Sequence, residues 1–210
     1  MMKLFIKPAN ELVLLDSPIN VISFDDPLKY RCFIYQLEEN VIISQNDSPI
    51  DLKKCHIIMN IFELSINEKK IMTQLYKNLI NTLNLENKDK LTSIETSLYD
   101  WIENVIDNQN YDLEFGEIDY FKLLDNLGVK FKEPENNNYL ELLIAYLKIY
   151  STLLGVNVFI IYNLCNFLTI EEKSILSKEL ELLEVTIIDF ELINNKFEST
   201  RVIDSDWCII

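Results

Sequence analysis

The segment NVFIIYNLCNFLTIEEKSILSKELELLEVTIIDF (157–190) decides the fold. Its ends, NVFIIY (157–162) and VTIIDF (185–190), are continuous apolar runs, as expected of strands buried on both faces. Between them, Thr169-Ile170-Glu171-Glu172 has capping-box spacing and opens a helix to about residue 183. A further helix is expected over 139–154, closed by Gly155. Helix, buried strand, helix, buried strand is the pattern of a parallel βαβ arrangement.

Outward from that core, residues 3–7, 11–15 and 21–24 read as strands. The turn formers Pro8-Ala9-Asn10 and Asp16-Ser17-Pro18 separate them. Asp26-Pro27 starts a helix to about residue 39, with aspartate as cap and proline at the first helical position. Residues 41–44 and 55–60 read as strands around a polar loop containing Pro49, Lys53 and Lys54. From Ser65 the period changes. Ser65-Ile66-Asn67-Glu68 is a second capping box, and Ile71, Leu75, Leu79, Ile80 and Leu83 recur at helical spacing. A second long helix is predicted over 89–107, with Leu91, Ile94, Leu98, Trp101, Ile102 and Val105 on one face. A short helix over 118–127 ends at Gly128, and strand-like sequence returns at 129–132 and 202–210. The sequence thus predicts an α/β protein with a mostly parallel sheet. Residues 1–64 and 129–210 would form the sheet domain, and 65–128 an α-helical insertion.

With 210 residues, 49% hydrophobic and 25% charged, the chain can bury a full core. No apolar run approaches the roughly 20 residues of a membrane helix. The amino end is too short and interrupted for a signal peptide, so a cytoplasmic protein with no membrane partner is expected. Cys32, Cys55, Cys165 and Cys208 form no C-x-x-C pair, and His56 is the only histidine, which leaves too few ligands for zinc. The cysteines read mostly as core residues in a reducing compartment. A net charge of −15 repels nucleic acid at long range, so only local basic patches could hold it.

The three glycines, Gly116, Gly128 and Gly155, form neither G-x-x-x-x-G-K-[ST] nor G-x-G-x-x-G. Nucleotide binding by either loop is set aside. A histidine-dependent hydrolase would have to use His56, which reads as a packed strand residue. Seven acids between Glu103 and Asp125 make carboxylate pairs easy to find and correspondingly uninformative. The run Asp112-Leu113-Glu114-Phe115-Gly116-Glu117-Ile118-Asp119 has two readings. Its acids favour a helix amino end, which spacing alone prefers, or they hold a hard cation through oxygen. The EF-hand pattern is not matched.

DLEFGEIDYFKLLDNLGVKF (112–131) resembles the acidic segment and following helix of the CRISPR-associated Csn-two family of type II-A systems. VFIIYNLCNFLTIEE (158–172) is similar to that family's buried strand, loop and capped helix, and VIDSDWCII (202–210) to its last strand. The resemblance implies a P-loop-like α/β head without a nucleotide loop, carrying a helical arm. It implies a non-enzymatic homotetrameric ring that binds Ca²⁺ and encircles free ends of double-stranded DNA. It also implies work in spacer acquisition beside the integrase pair and the effector nuclease. Carried over by position, Asp112, Glu114 and Glu117 would be calcium ligands, with Asp119 as a substitute. Gly116 and Lys122 stand where the family often has further acids.

A ring also answers the charge problem, because lysines lining its hole would give DNA a positive collar. Contacts would be to phosphate, sequence-independent and salt-sensitive. The candidates are Lys53, Lys54, Lys69, Lys70, Lys122, Lys130 and Lys132, the last two and Lys122 foremost because they adjoin the acidic segment. An adaptation scaffold with weak DNA binding and a metal-dependent nuclease are the alternatives.

Overall fold

The computed structural model describes residues 1–86, 88–109, 112–114, 116–135, 138–193 and 201–209. Two compact units form: Met1–Ser65 with Pro134–Ile210, and Ile66–Glu133. The first holds two sheets. Strands β1 (Met2–Ile6), β2 (Glu11–Leu15), β4 (Val41–Gln45) and β5 (Ser48–Ile50) form an antiparallel sheet ordered β2-β1-β4-β5. Strands β3 (Ile19–Phe24), β6 (His56–Ile58), β7 (Val158–Tyr162), β8 (Thr186–Leu192) and β9 (Arg201–Ile203) form a parallel sheet ordered β6-β7-β8-β3-β9.

Every residue of β7 is buried, as is the middle of β8, which is why both read as unbroken apolar runs. One face of the parallel sheet presents Ile22, Phe24, Ile160, Ile188 and Phe190 to a common core with Leu4, Ile6, Val13 and Ile43 of the antiparallel sheet. Helix α1 (Pro27–Tyr35) adds Phe33 to this core, and the short α2 (Leu37–Asn40) adds Leu37. Full burial of Phe24, Phe33 and Phe190 contributes about 1.5–3 kcal/mol each. The opposite face carries Phe159, against whose edge Tyr150 of α6 (Tyr139–Leu154) packs. Helix α7 (Ile170–Leu183) contacts α6 and buries Leu176 and Leu180.

Local signals behave as expected at several ends. Asp26 accepts from the Leu28 and Lys29 amides, Thr169 and Glu172 complete their capping box, and Gly155 closes α6 at φ 68°. His56 is structural: its Nε2 lies 2.8 Å from the Tyr146 hydroxyl and its ring stacks on Tyr150 at 3.9 Å.

Other expectations are corrected. The polar loop after β4 is a hairpin: Asn46 and Asp47 take positive φ (50° and 63°), as a type I′ turn requires, and Pro49 is tolerated because β5 is an edge strand. The last strand ends at Ile203. Beyond it Asp204 accepts from the Asp206 and Cys208 amides, turning the chain back so that Ile209 bridges Ile203; Ile210 lies outside the described residues. Only Cys165 of the four cysteines is buried, and Cys32 and Cys208 are exposed.

The second unit contains α3 (Lys69–Glu86), α4 (Lys88–Ile106) and α5 (Tyr120–Asn126). Helix α3 begins at Lys69 rather than just after Ser65. Residues 129–132 are not a strand. The Val129 carbonyl accepts from the Tyr76 hydroxyl (2.9 Å), and Phe131 is held by Asn67, so this stretch packs with the helices. No described helix is long and apolar enough to cross a membrane.

Candidate functional site

Acids in the 112–119 segment precede α5, and one of them starts that helix. The Asp119 carboxylate accepts from the Lys122 amide at 3.1 Å and pairs with the Lys122 ammonium at 3.3 Å. These contacts, the backbone amide foremost, hold its carboxyl below the usual range. Asp112, Glu114 and Glu117 are exposed, and Phe115 lies outside the described residues.

Of the four expected ligands, Glu117 alone lines a cleft of about 630 Å³, beside Gly116, Ile118 and Tyr120. The other wall is α4, through Glu95, Tyr99 and Glu103. The sequence singles out neither glutamate (Glu103 is only one of the seven acids counted there), although their i, i+4, i+8 spacing with Tyr99 puts all three on one helix face. Two hydrogen bonds join the walls of the cleft. The Tyr120 hydroxyl donates to Glu95, and the Tyr99 hydroxyl accepts from the Ile118 amide at 3.1 Å. Calcium takes 6–8 oxygens. Among the described residues no three acids, histidines or cysteines come together as a metal site. Among the described residues, no three of Asp112, Glu114, Glu117 and Asp119 come together as one cluster.

The lysines behave differently. Lys53 and Lys54 stand exposed on a 3₁₀ turn (Leu52–Lys54) of the first unit, and Lys122 is committed to Asp119. In the helical unit, Asn67 makes a two-point contact with Phe131: its amide nitrogen donates to the carbonyl (3.1 Å), and its amide oxygen accepts from the N–H (2.8 Å). Asn67 thereby acts as a strand partner one residue long. It also fastens the segment leaving the unit to the segment entering it. The link ties together two segments that bear lysines, with Glu68 and Glu133 also in them: Lys130 and Lys132 flank Phe131, and Lys69 and Lys70 stand in the first turn of α3. All four lysines are exposed. That turn holds no acid, although a helix amino end favours one, so its lysines add to the positive end of the dipole. The Asn67–Phe131 link has no signal in the sequence, where Asn67 reads as part of a capping box.

A further exposed feature lies on α4. Although the helix is amphipathic, none of its residues is buried. Ile94, Leu98, Trp101 and Val105 form an exposed apolar stripe, with Trp101 63% exposed.

A family model for CRISPR-associated protein (Cas_Csn2) matches residues 35–207. The chain belongs to this family. The Cas_Csn2 match takes in both long runs of the parallel sheet, the whole helical unit and the acidic segment. A CRISPR-associated role follows from membership in it. No individually curated protein matches the chain.

Proposed function

We propose that this chain is a non-catalytic, duplex-DNA-binding protein of spacer acquisition, engaging DNA ends as a homotetrameric ring. The observation that carries the reading is the Asn67–Phe131 link, which ties the segment bearing Lys130 and Lys132 to the one bearing Lys69 and Lys70. Exposed lysines on these two linked segments suit phosphate oxygens, which are the sequence-independent part of any duplex. Local concentration of lysine matters more than the −15 total, because charges beyond about 8 Å are largely screened at physiological salt. The exposed stripe of α4 supports assembly, since apolar faces of this kind mark association surfaces. The integrase pair and the effector nuclease are the expected partners in adaptation.

Calcium, which the family resemblance implies, finds no gathered ligand set among the described residues of one chain. The DNA reading therefore runs through the lysines. A gel shift compares linear with covalently closed duplex, each with Ca²⁺ and with chelator. Binding of the linear form alone is expected, and Asn67→Ala should weaken it with all lysines intact. Equal binding of both forms would end the ring reading. Loss of binding in chelator would return the acidic segment to the DNA site.

The α4 stripe also favours a second reading, a scaffold that holds other adaptation proteins. Co-purification of a partner from nuclease-treated extract, with no duplex shift, would select it.

A further inference from the structure

The carboxyl edge of the parallel sheet presents apolar side chains to solvent. Met59 directly follows β6. The Asn60 side chain and carbonyl then accept from the Phe62 and Glu63 amides, so one tight turn carries both Met59 and Phe62. Phe167, in the loop between β7 and α7, meets the Phe62 ring edge-on at 5.0 Å, and Ile170 opens α7. Met59 also belongs to a groove of about 540 Å³ walled by Pro27, Tyr30, Ile34 and Tyr35 of α1. Tyr30 fixes that groove to the sheet: its hydroxyl donates to the Phe190 carbonyl (3.0 Å) and accepts from the Asn163 side-chain amide (2.9 Å).

The turn at Met59 thus joins the groove to the Phe62–Phe167 pair. Tyr35 is 92% exposed, Met59 69% and Phe62 65%. Single apolar residues on a surface are ordinary, whereas a connected set marks an interaction site. Its position agrees, since open α/β sheets bind their ligands outside the carboxyl ends of the strands.

The rim decides the class of occupant. Asp25 and Asp26 precede Pro27, Glu63 follows Phe62, and Glu171 follows Ile170. Asp25, Glu63 and Glu171 are exposed. Such a rim repels the phosphates of a duplex. A second copy would bring the same acids against it, because a two-fold contact sets each patch on itself. A cationic partner with an apolar centre matches both parts, in keeping with the apolar core and polar rim of protein interfaces.

We propose that this edge docks a basic segment of another protein. One large apolar side chain of the segment seats between α1 and Met59, and its lysines or arginines pair with the rim acids. Arg31, which also lines the groove, supplies N–H donors for the segment's backbone carbonyls. The inference goes beyond the DNA reading. It uses residues of the sheet unit alone and stands whether or not the lysines of the helical unit hold duplex.

Random short peptides displayed on phage and selected against the full chain test the docking edge. The selected peptides are then titrated into chain carrying methyl-labelled methionine. Met59 reports on the edge, and Met72 in α3 is the internal reference. Selected peptides should combine a large apolar residue with lysine or arginine, move the Met59 methyl signal and leave Met72 in place. Tyr35→Ala should weaken them about tenfold or more, as loss of an aromatic anchor does. Glu63→Lys should weaken them as well, and by less as salt is raised. Both side chains are exposed, so neither change reaches the core. Failure of duplex binding would alter none of these readouts. No enriched peptide, selected peptides without basic residues, a Met59 signal that stays still, or full affinity in Tyr35→Ala would overturn the proposal. So would a Met59 signal that moves on adding duplex or on diluting the chain, since DNA or a second copy would then be the occupant.

Discussion

Asp119 carries two claims at once, as the acid the family resemblance offers for calcium and as the residue that starts α5. Its bonds to the Lys122 amide and ammonium show it capping the helix. Those bonds lower its carboxyl, so the contribution they make is present above its ordinary value and is lost as pH falls through the lowered one. Asparagine caps a helix about as well as aspartate. Asp119→Asn is therefore expected to leave thermal unfolding and any heat of calcium binding unchanged in calorimetry. Loss of calcium binding in this variant alone would make Asp119 a ligand after all. In the sequence, the segment is legible as two alternatives, and spacing favours the helix start. Asn67 is not legible. Its partner Phe131 is 64 positions away, and no local pattern announces a side chain serving as a strand edge.

Helices and strands with a single dominant cause are the readable elements. Strands β7 and β8 are buried throughout their middles, so hydrophobicity alone marks them. Two capping boxes look equivalent, but only the Thr169 box stands at an observed helix start. Near Ser65, a tertiary contact takes Asn67 out of the helix, which is how long-range bonds override local preference. Hairpin β4–β5 stays hidden because Pro49 and a three-residue strand argue against sheet until the edge position is known. The face of α4 reads correctly as apolar, though periodicity cannot say whether such a face is covered. Since Trp101 is largely exposed, Trp101→Glu should fold like the parent by circular dichroism. Self-association should weaken about 30-fold or more in sedimentation, as expected when an aromatic anchor is removed. An unchanged assembly would leave the stripe without a role in the proposed ring.

For the molecule as a whole, an acidic chain that binds DNA must do so through a local exception to its own charge. On the proposed reading, the lysines of the two segments joined by Asn67 are that exception, and they make a quantitative prediction. Changing Lys69, Lys70, Lys130 and Lys132 to alanine should abolish most binding at moderate salt. Every lysine–phosphate pairing that disappears should reduce the slope of log K against log salt by about 0.9. A variant whose slope matches the parent's would place the DNA elsewhere, with Lys53 and Lys54 next in line. Such measurements need a built-in check that the sheet unit stays folded, and His56 supplies it. As the chain's single histidine, stacked on Tyr150 and bonded to Tyr146, it gives one set of imidazole proton resonances, displaced by the ring currents of its neighbours. One uncrowded signal thus reports whether β6 and α6 remain packed, in every variant and at every salt concentration, without a label.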